Sequence, residues 1–184
     1  MGNSRVEMQW NVARHATSET LPIEQLSSRI NVSAMLEQFG VSASPNPIRD
    51  RVRHAFVRHQ VPVIERFYAF WLAIPETRAL LSHAPLAALK EHQAQYWRSL
   101  FSAPLDQTFA ARSIAVGFAH CRIGLPPHRY IAGYSYFLTL LSDIVLAETN
   151  AEHVSKLLNE TTGVVHLDMA VSLTGYFFKG LHAH

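Results

Sequence analysis

Cysteine is nearly absent: Cys121 is the single one in 184 residues, so an internal disulfide is excluded. Charge is scarce too. Asp, Glu, Lys and Arg make up 16% of the chain, and the excess of Lys and Arg over Asp and Glu is 16 against 14. Such a balance lacks the basic face or stripe that nucleic acid demands. The small cluster of Arg49, Arg51, Arg53 and Arg58 reads as a solvated helix face. No run of 18 uncharged apolar residues marks a membrane span. The opening Met-Gly-Asn-Ser-Arg-Val-Glu has no apolar core of a secretory signal, and Val6 stands where a myristoylation pattern wants Ser or Thr. Strand alternation, Asn-Gly and Asp-Gly hairpin dipeptides, repeats and a Gly-rich dinucleotide motif are also missing. These absences leave a soluble, cytoplasmic, all-α chain, 48% apolar and long enough for one well-buried domain.

Proline and asparagine punctuate what is present. Residues 1–22 are polar and aperiodic apart from Val6, Met8, Trp10 and Val12, as in a mobile arm or a docking segment. From Pro22 to Gly40 apolar residues recur at helical spacing, with a break expected near Asn31-Val32-Ser33. Asn46 and Pro47 form a start signal for a helix to about Gln60, and Pro62 is expected to restart a second, buried helix. Further helices are predicted over Pro75–Ser82 and Pro85–Phe101, and then from the Asp106 cap to the Ile123–Pro127 corner. The last two cover Pro127 to about Glu148 and Asn150 to about Phe178. Both carry more apolar surface than one contact needs, which suggests an antiparallel pair that dimerises as a four-helix bundle. The expected division is an arm and short helix over 1–45 and a main domain over 46–184, with roughly seven or eight helices in all.

One histidine stands out. On a helix from Ser113 to Ile123, positions Ser113, Val116, Gly117, His120 and Gly124 share a face that carries almost no bulk. A buried face normally holds Leu, Ile or Phe, so small residues around an imidazole suggest that something other than a side chain fills the space. A planar metal cofactor is the sharpest candidate. A hydrogen-bonded core histidine is the other reading, and spacing alone leaves both open.

Motif order narrows the choice. Phe67-Tyr68 precedes Pro75; Leu89-Lys90, Gln93, Tyr96-Trp97 and Leu100-Phe101 follow; then come Gly117, His120, Ile123-Gly124-Leu125, Pro127 and Tyr130. Over about residues 47–178 this series resembles the haem domain of globin-coupled sensors. The resemblance implies a globin-like helical sandwich with an extra N-terminal helix. It also implies haem b, held non-covalently because His120-Cys121 is not a Cys-x-x-Cys-His attachment signature.

His120 then corresponds to the proximal iron ligand. Tyr68 corresponds to the distal tyrosine that donates a hydrogen bond to bound O2, with CO and NO as other ligands. Leu89 resembles the apolar distal residue, with Leu86 as its alternative. Tyr130 takes the place near the proximal histidine from which it could hydrogen-bond the imidazole. Phe67, Val116, Gly117 and Phe137 are candidates for the pocket wall, and His92 for a second axial ligand. Cys121 and Arg122 are expected to point away. The implied function is a gas sensor that is not itself an enzyme. It would act as a homodimer through its last two helices on an output domain or separate partner, with no nucleic acid or membrane involved. A haem enzyme of nitric oxide dioxygenase or peroxidase-like type is the alternative, and a cofactor-free dimerisation module the third reading.

Overall fold

Eight helices and no strand make up the described residues, 20–181, of the computed structural model. The arm up to residue 19 and the final three residues, with what was expected of them, lie outside the described residues. The helices are α1 Thr20–Arg29, α2 Val32–Phe39, α3 Pro47–Ala73, α4 Pro75–Leu81, α5 Leu86–Ser102, α6 Gln107–Arg122, α7 Pro127–Glu148 and α8 Ala151–Leu181.

Their starts follow the signals in the sequence. Asn31 Oδ1 accepts from the Ala34 amide at 3.0 Å, Asn46 Oδ1 from the Arg49 amide at 2.9 Å, and Asp106 Oδ1 from Thr108 and Phe109 at 2.9 and 3.1 Å. Each satisfies amides that a first helical turn leaves orphaned. Pro47, Pro75 and Pro127 occupy the first turns of α3, α4 and α7. Gly40 and Gly124, at φ 64° and 77°, end α2 and α6 in the left-handed region that favours glycine.

Two expectations fail here. First, α3 runs continuously through Pro62 rather than breaking at Gln60. Proline forfeits one backbone hydrogen bond, but Arg58, the residue whose carbonyl is freed, is exposed, as are Val61 and Pro62. Buried Val52 and Phe56 before the proline, and Val63, Ile64, Tyr68 and Trp71 after it, keep both halves against the core. Second, Arg49 is not on a solvated face but fully buried. Its Nε pairs with Glu160 of α8 at 2.9 Å, and its guanidinium also donates to the Ser42 carbonyl. Asn46 Nδ2 donates to the same carboxylate at 3.1 Å, so one acid ties the start of α3 to α8.

The sandwich is built from α3 against α5 and α7, and from α8 against α6 and α7, with α1 on α6 and α2 on α8. Helix α7 is long and apolar enough to cross a membrane by composition. It instead places Tyr130, Tyr134, Phe137, Leu141 and Ile144 in the core, as a central helix does. Trp97 stacks on Phe137 at 4.1 Å, anchoring α5 to α7.

The most extensive interface is α6 on α8. It is closed by glycines on both partners. A Cβ at Gly117 would lie 1.8 Å from the Ser172 carbonyl oxygen, and one at Gly175 would lie 2.4 Å from that of Ile114. Backbone cannot yield as a flexible side chain can, so Gly117→Ala should lower stability by at least about 1–3 kcal/mol in urea unfolding. Gly133→Ala, whose Cβ would meet its nearest atom at 3.8 Å, should not. Equal stabilities would contradict the close crossing.

Candidate functional site

Helices α3 to α7 line a partly open cavity of about 590 Å³, in the range of sites that take small molecules and cofactors. Its walls are mostly apolar. Of the residues singled out in the sequence, Phe67 and Tyr68 reach it from α3 and Leu89 from α5. Val116 and His120 come from α6, and Tyr130 and Phe137 from α7. Leu86, the alternative to Leu89, is not among the lining residues, whereas His92 is, with its side chain partly in solvent.

Gly117 must be reassigned. Its bare side lies against Ser172 and Tyr176 of α8 and makes no part of the cavity wall. The residues of α6 that do line it are Arg112, Ala115, Val116, Ala119 and His120, joined by Ile123 at its C-cap. Small side chains thus serve two neighbouring faces of α6, and His120 stands at the boundary between them.

The imidazole of His120 has a defined orientation. Its Nδ1 lies 2.9 Å from the Val116 carbonyl, which can only accept, so Nδ1 carries the proton and Nε2 the lone pair. Nε2 makes no hydrogen bond among the described residues. Burial lowers the histidine pKa, with the Val116 bond acting against that shift, so the ring is neutral. Tyr130 does not supply the expected hydrogen bond to the ring. Its aromatic ring packs 4.8 Å from the imidazole, and its hydroxyl lies 3.3 Å from that of Tyr134. The Val116 carbonyl, one helical turn back, already satisfies Nδ1.

Polar groups elsewhere in the cavity are few. Tyr68 is buried, and desolvation raises its pKa well above the ordinary phenol value, so its hydroxyl remains a neutral donor. Gln93 Oε1 is buried without a hydrogen-bond partner among the described residues, as is Arg112 Nε. Arg112 reaches Ser99 Oγ at 2.7 Å; Arg129 reaches Thr77 Oγ1 at 3.2 Å and pairs with the exposed Glu76 at 3.4 Å. These two arginines are the cations on the wall that could hold carboxylates. No three His, Cys, Asp or Glu side chains among the described residues gather as a metal site. A metal at His120 would therefore take its other ligands from a cofactor. A neutral histidine with an available Nε2, apolar walls and two flanking guanidiniums suit a flat, largely apolar group with acidic edges.

Sequence reasoning missed a polar cluster behind this wall. Asp168 of α8 is fully buried and accepts from Tyr96, Ser113 and Tyr134. Its one visible signal was a lone acid inside the apolar run from Val164 to Val171.

Comparison with known proteins yields two kinds of match. The sequence model of the Protoglobin family matches residues 50–181. Among solved structures, the chain is similar to the globin domain of a globin-coupled sensor of Geobacter sulfurreducens, with a TM-score of 0.72 at 17% identity. That match covers 78% of this chain and 96% of the other. It is also similar to the globin domain of E. coli DosC in its ferric form, with a TM-score of 0.64 at 17% identity over 85% of this chain and 99% of that one. At these identities the likeness establishes the globin fold.

The histidine carries a pH consequence. Its folded pKa is lowered, so the stability that its neutral ring permits is present above the ordinary histidine value of about 6.5 and is lost as pH falls through the lowered one. Urea unfolding of the cofactor-free protein from about pH 7.5 down to about 4.5 should show wild type losing more stability than His120→Gln. Parallel loss would contradict a buried neutral ring.

Proposed function

Because the chain belongs to the Protoglobin family, we propose that this cavity binds haem b and that the main domain, residues 46–184, is a haem-based sensor of O2. The observation that carries the reading is one cavity lined by both an imidazole with an available Nε2 and a buried, protonated tyrosine. Bound haem would supply an iron able to take O2, CO or NO reversibly.

The chain's own residues do the rest. His120 offers Nε2 to the iron while Val116 holds its tautomer and ring plane. Tyr68 keeps its proton and can donate a hydrogen bond to negative charge building on a gas ligand, in a site dry enough for that bond to count. Leu89, buried on α5, adds apolar bulk and no competing donor. Arg112 and Arg129 would face the haem carboxylates.

The proposed output runs through α7 and α8. Ile131 and Leu146 of α7 and Phe177 of α8 are large apolar side chains left 41%, 53% and 60% exposed, which supports homodimerisation through these helices. The corner after His120 is tied to α8, since the Tyr176 hydroxyl donates to the Leu125 carbonyl. A shift of α6 on ligand binding can therefore reach the proposed dimer helices, and from them an output domain or partner, in a cytoplasmic setting.

Titrating the cofactor-free protein with haem should saturate near one per chain with a Soret band; no uptake would contradict the function. In Tyr68→Phe, O2 release should accelerate by about tenfold or more, the factor one hydrogen bond to a charged acceptor carries. An unchanged release rate would contradict the distal role. Sustained turnover with an electron donor would instead support the nitric oxide dioxygenase or peroxidase-like alternative.

A further inference from the structure

Asp168 is the one fully buried carboxylate among the described residues, and the haem reading gives it no task. Four helices meet at it. Oδ1 accepts from the Tyr96 hydroxyl of α5 at 2.5 Å and from the Ser113 hydroxyl of α6 at 2.6 Å. Oδ2 accepts from the Tyr134 hydroxyl of α7 at 2.8 Å. The carboxylate itself belongs to α8. A carboxylate removed from water is costly unless its lone pairs are filled, and here three hydroxyls fill them. Burial raises the Asp168 pKa, and the three hydroxyl bonds and, more weakly, the field of Arg112 on α6 act against that shift.

The partners are not ordinary core residues. Tyr96 and Tyr134 line the cavity, as does Tyr130, whose hydroxyl sits 3.3 Å from that of Tyr134. The Tyr130 ring is in turn 4.8 Å from the His120 ring. Contacts therefore run unbroken from the Asp168 carboxyl on α8, through two tyrosines of α7, to the imidazole on α6. Without Asp168 as acceptor, the Tyr134 hydroxyl would keep only its 3.3 Å contact with Tyr130 and the Tyr96 hydroxyl only its 3.4 Å contact with Ser113. Both side chains line the cavity, so both would be free to turn toward it.

We propose that Asp168 is a positioning residue: it fixes Tyr134 and Tyr96 in the cavity wall and, through Tyr134 and Tyr130, the setting of the His120 ring, joining α8 to the ligand-bearing wall. The inference rests on the haem reading for its readout. An aspartate that merely held helices together would influence melting and leave the bond from His120 to iron as it was.

The test uses the haem-loaded full chain as wild type, Asp168→Asn, Tyr134→Phe and the double variant, and reads the iron–histidine stretching band of the ferrous protein by resonance Raman. Asparagine keeps the size and one acceptor oxygen but turns an amide donor toward a hydroxyl. Phenylalanine deletes one hydroxyl and nothing else. Both single variants should shift the band in the same direction, and the double should shift it no further than the larger single, as for members of one chain.

A lowered melting temperature with an unmoved band would overturn the proposal, and so would additive shifts. If Asp168→Asn does not fold, Tyr134→Phe decides alone, and an unmoved band in it overturns the proposal. Wild type that takes up no haem would overturn the haem reading and this inference together. Haem-loaded wild type with unmoved variant bands overturns this inference only.

Discussion

Helix α6 can turn its histidine into a cavity because its neighbouring face has almost no side chain where it meets α8. Gly117 against Ser172 and Gly175 against Ile114 let the two backbones approach until a methyl group on either would collide with a carbonyl oxygen. That crossing sets the rotation of α6 about its own axis. With α6 so fixed, Val116, Ala119, His120 and Ile123 must face the space between α3, α5 and α7. The corner at Gly124 and the Tyr176 bond to Leu125 follow from the same approach, because α8 is already alongside.

Burial then determines the chemistry. The same desolvation that keeps the His120 ring neutral keeps Tyr68 protonated. These are opposite ionisation changes with a common result, an uncharged acceptor nitrogen and an uncharged donor hydroxyl facing one apolar volume. Burial acts the same way on Asp168, raising its pKa, while three hydroxyl donors oppose the shift. His120 and Tyr68 thus face the cavity uncharged, which suits holding a cofactor more than moving protons.

Much of this is legible in the amino-acid sequence. Caps at Asn31, Asn46 and Asp106 and prolines at 47, 75 and 127 locate the helices, because those residues act on their own backbone within one turn. Tyr68, Leu89 and His120 are recoverable because their spacing follows a recurring arrangement of motifs. The failures have a shared origin in contacts distant along the chain. Arg49 looks solvated in the sequence because its partner Glu160 lies 111 positions away. Pro62 looks like a break because burial on both sides of it is a tertiary fact. Gly117 is easily misread because it lies only about 60° around the helix from His120, too little for a helical wheel to separate a cavity face from a packing face. Tyr130 does lie beside the histidine as its position suggests, but the Val116 carbonyl makes the hydrogen bond. Asp168 has no legible role in the sequence, since its three partners come from three other helices.

In the proposed function, Nε2 of His120 is the protein's bond to haem iron. It is tested most directly by the visible spectrum of the ferrous protein carrying His120→Gly, recorded with and without added imidazole and set beside wild type. The variant should lose the wild-type ferrous spectrum, and free imidazole, entering the vacated space, should restore it. A variant whose ferrous spectrum matches wild type without imidazole would rule out His120 as the iron ligand.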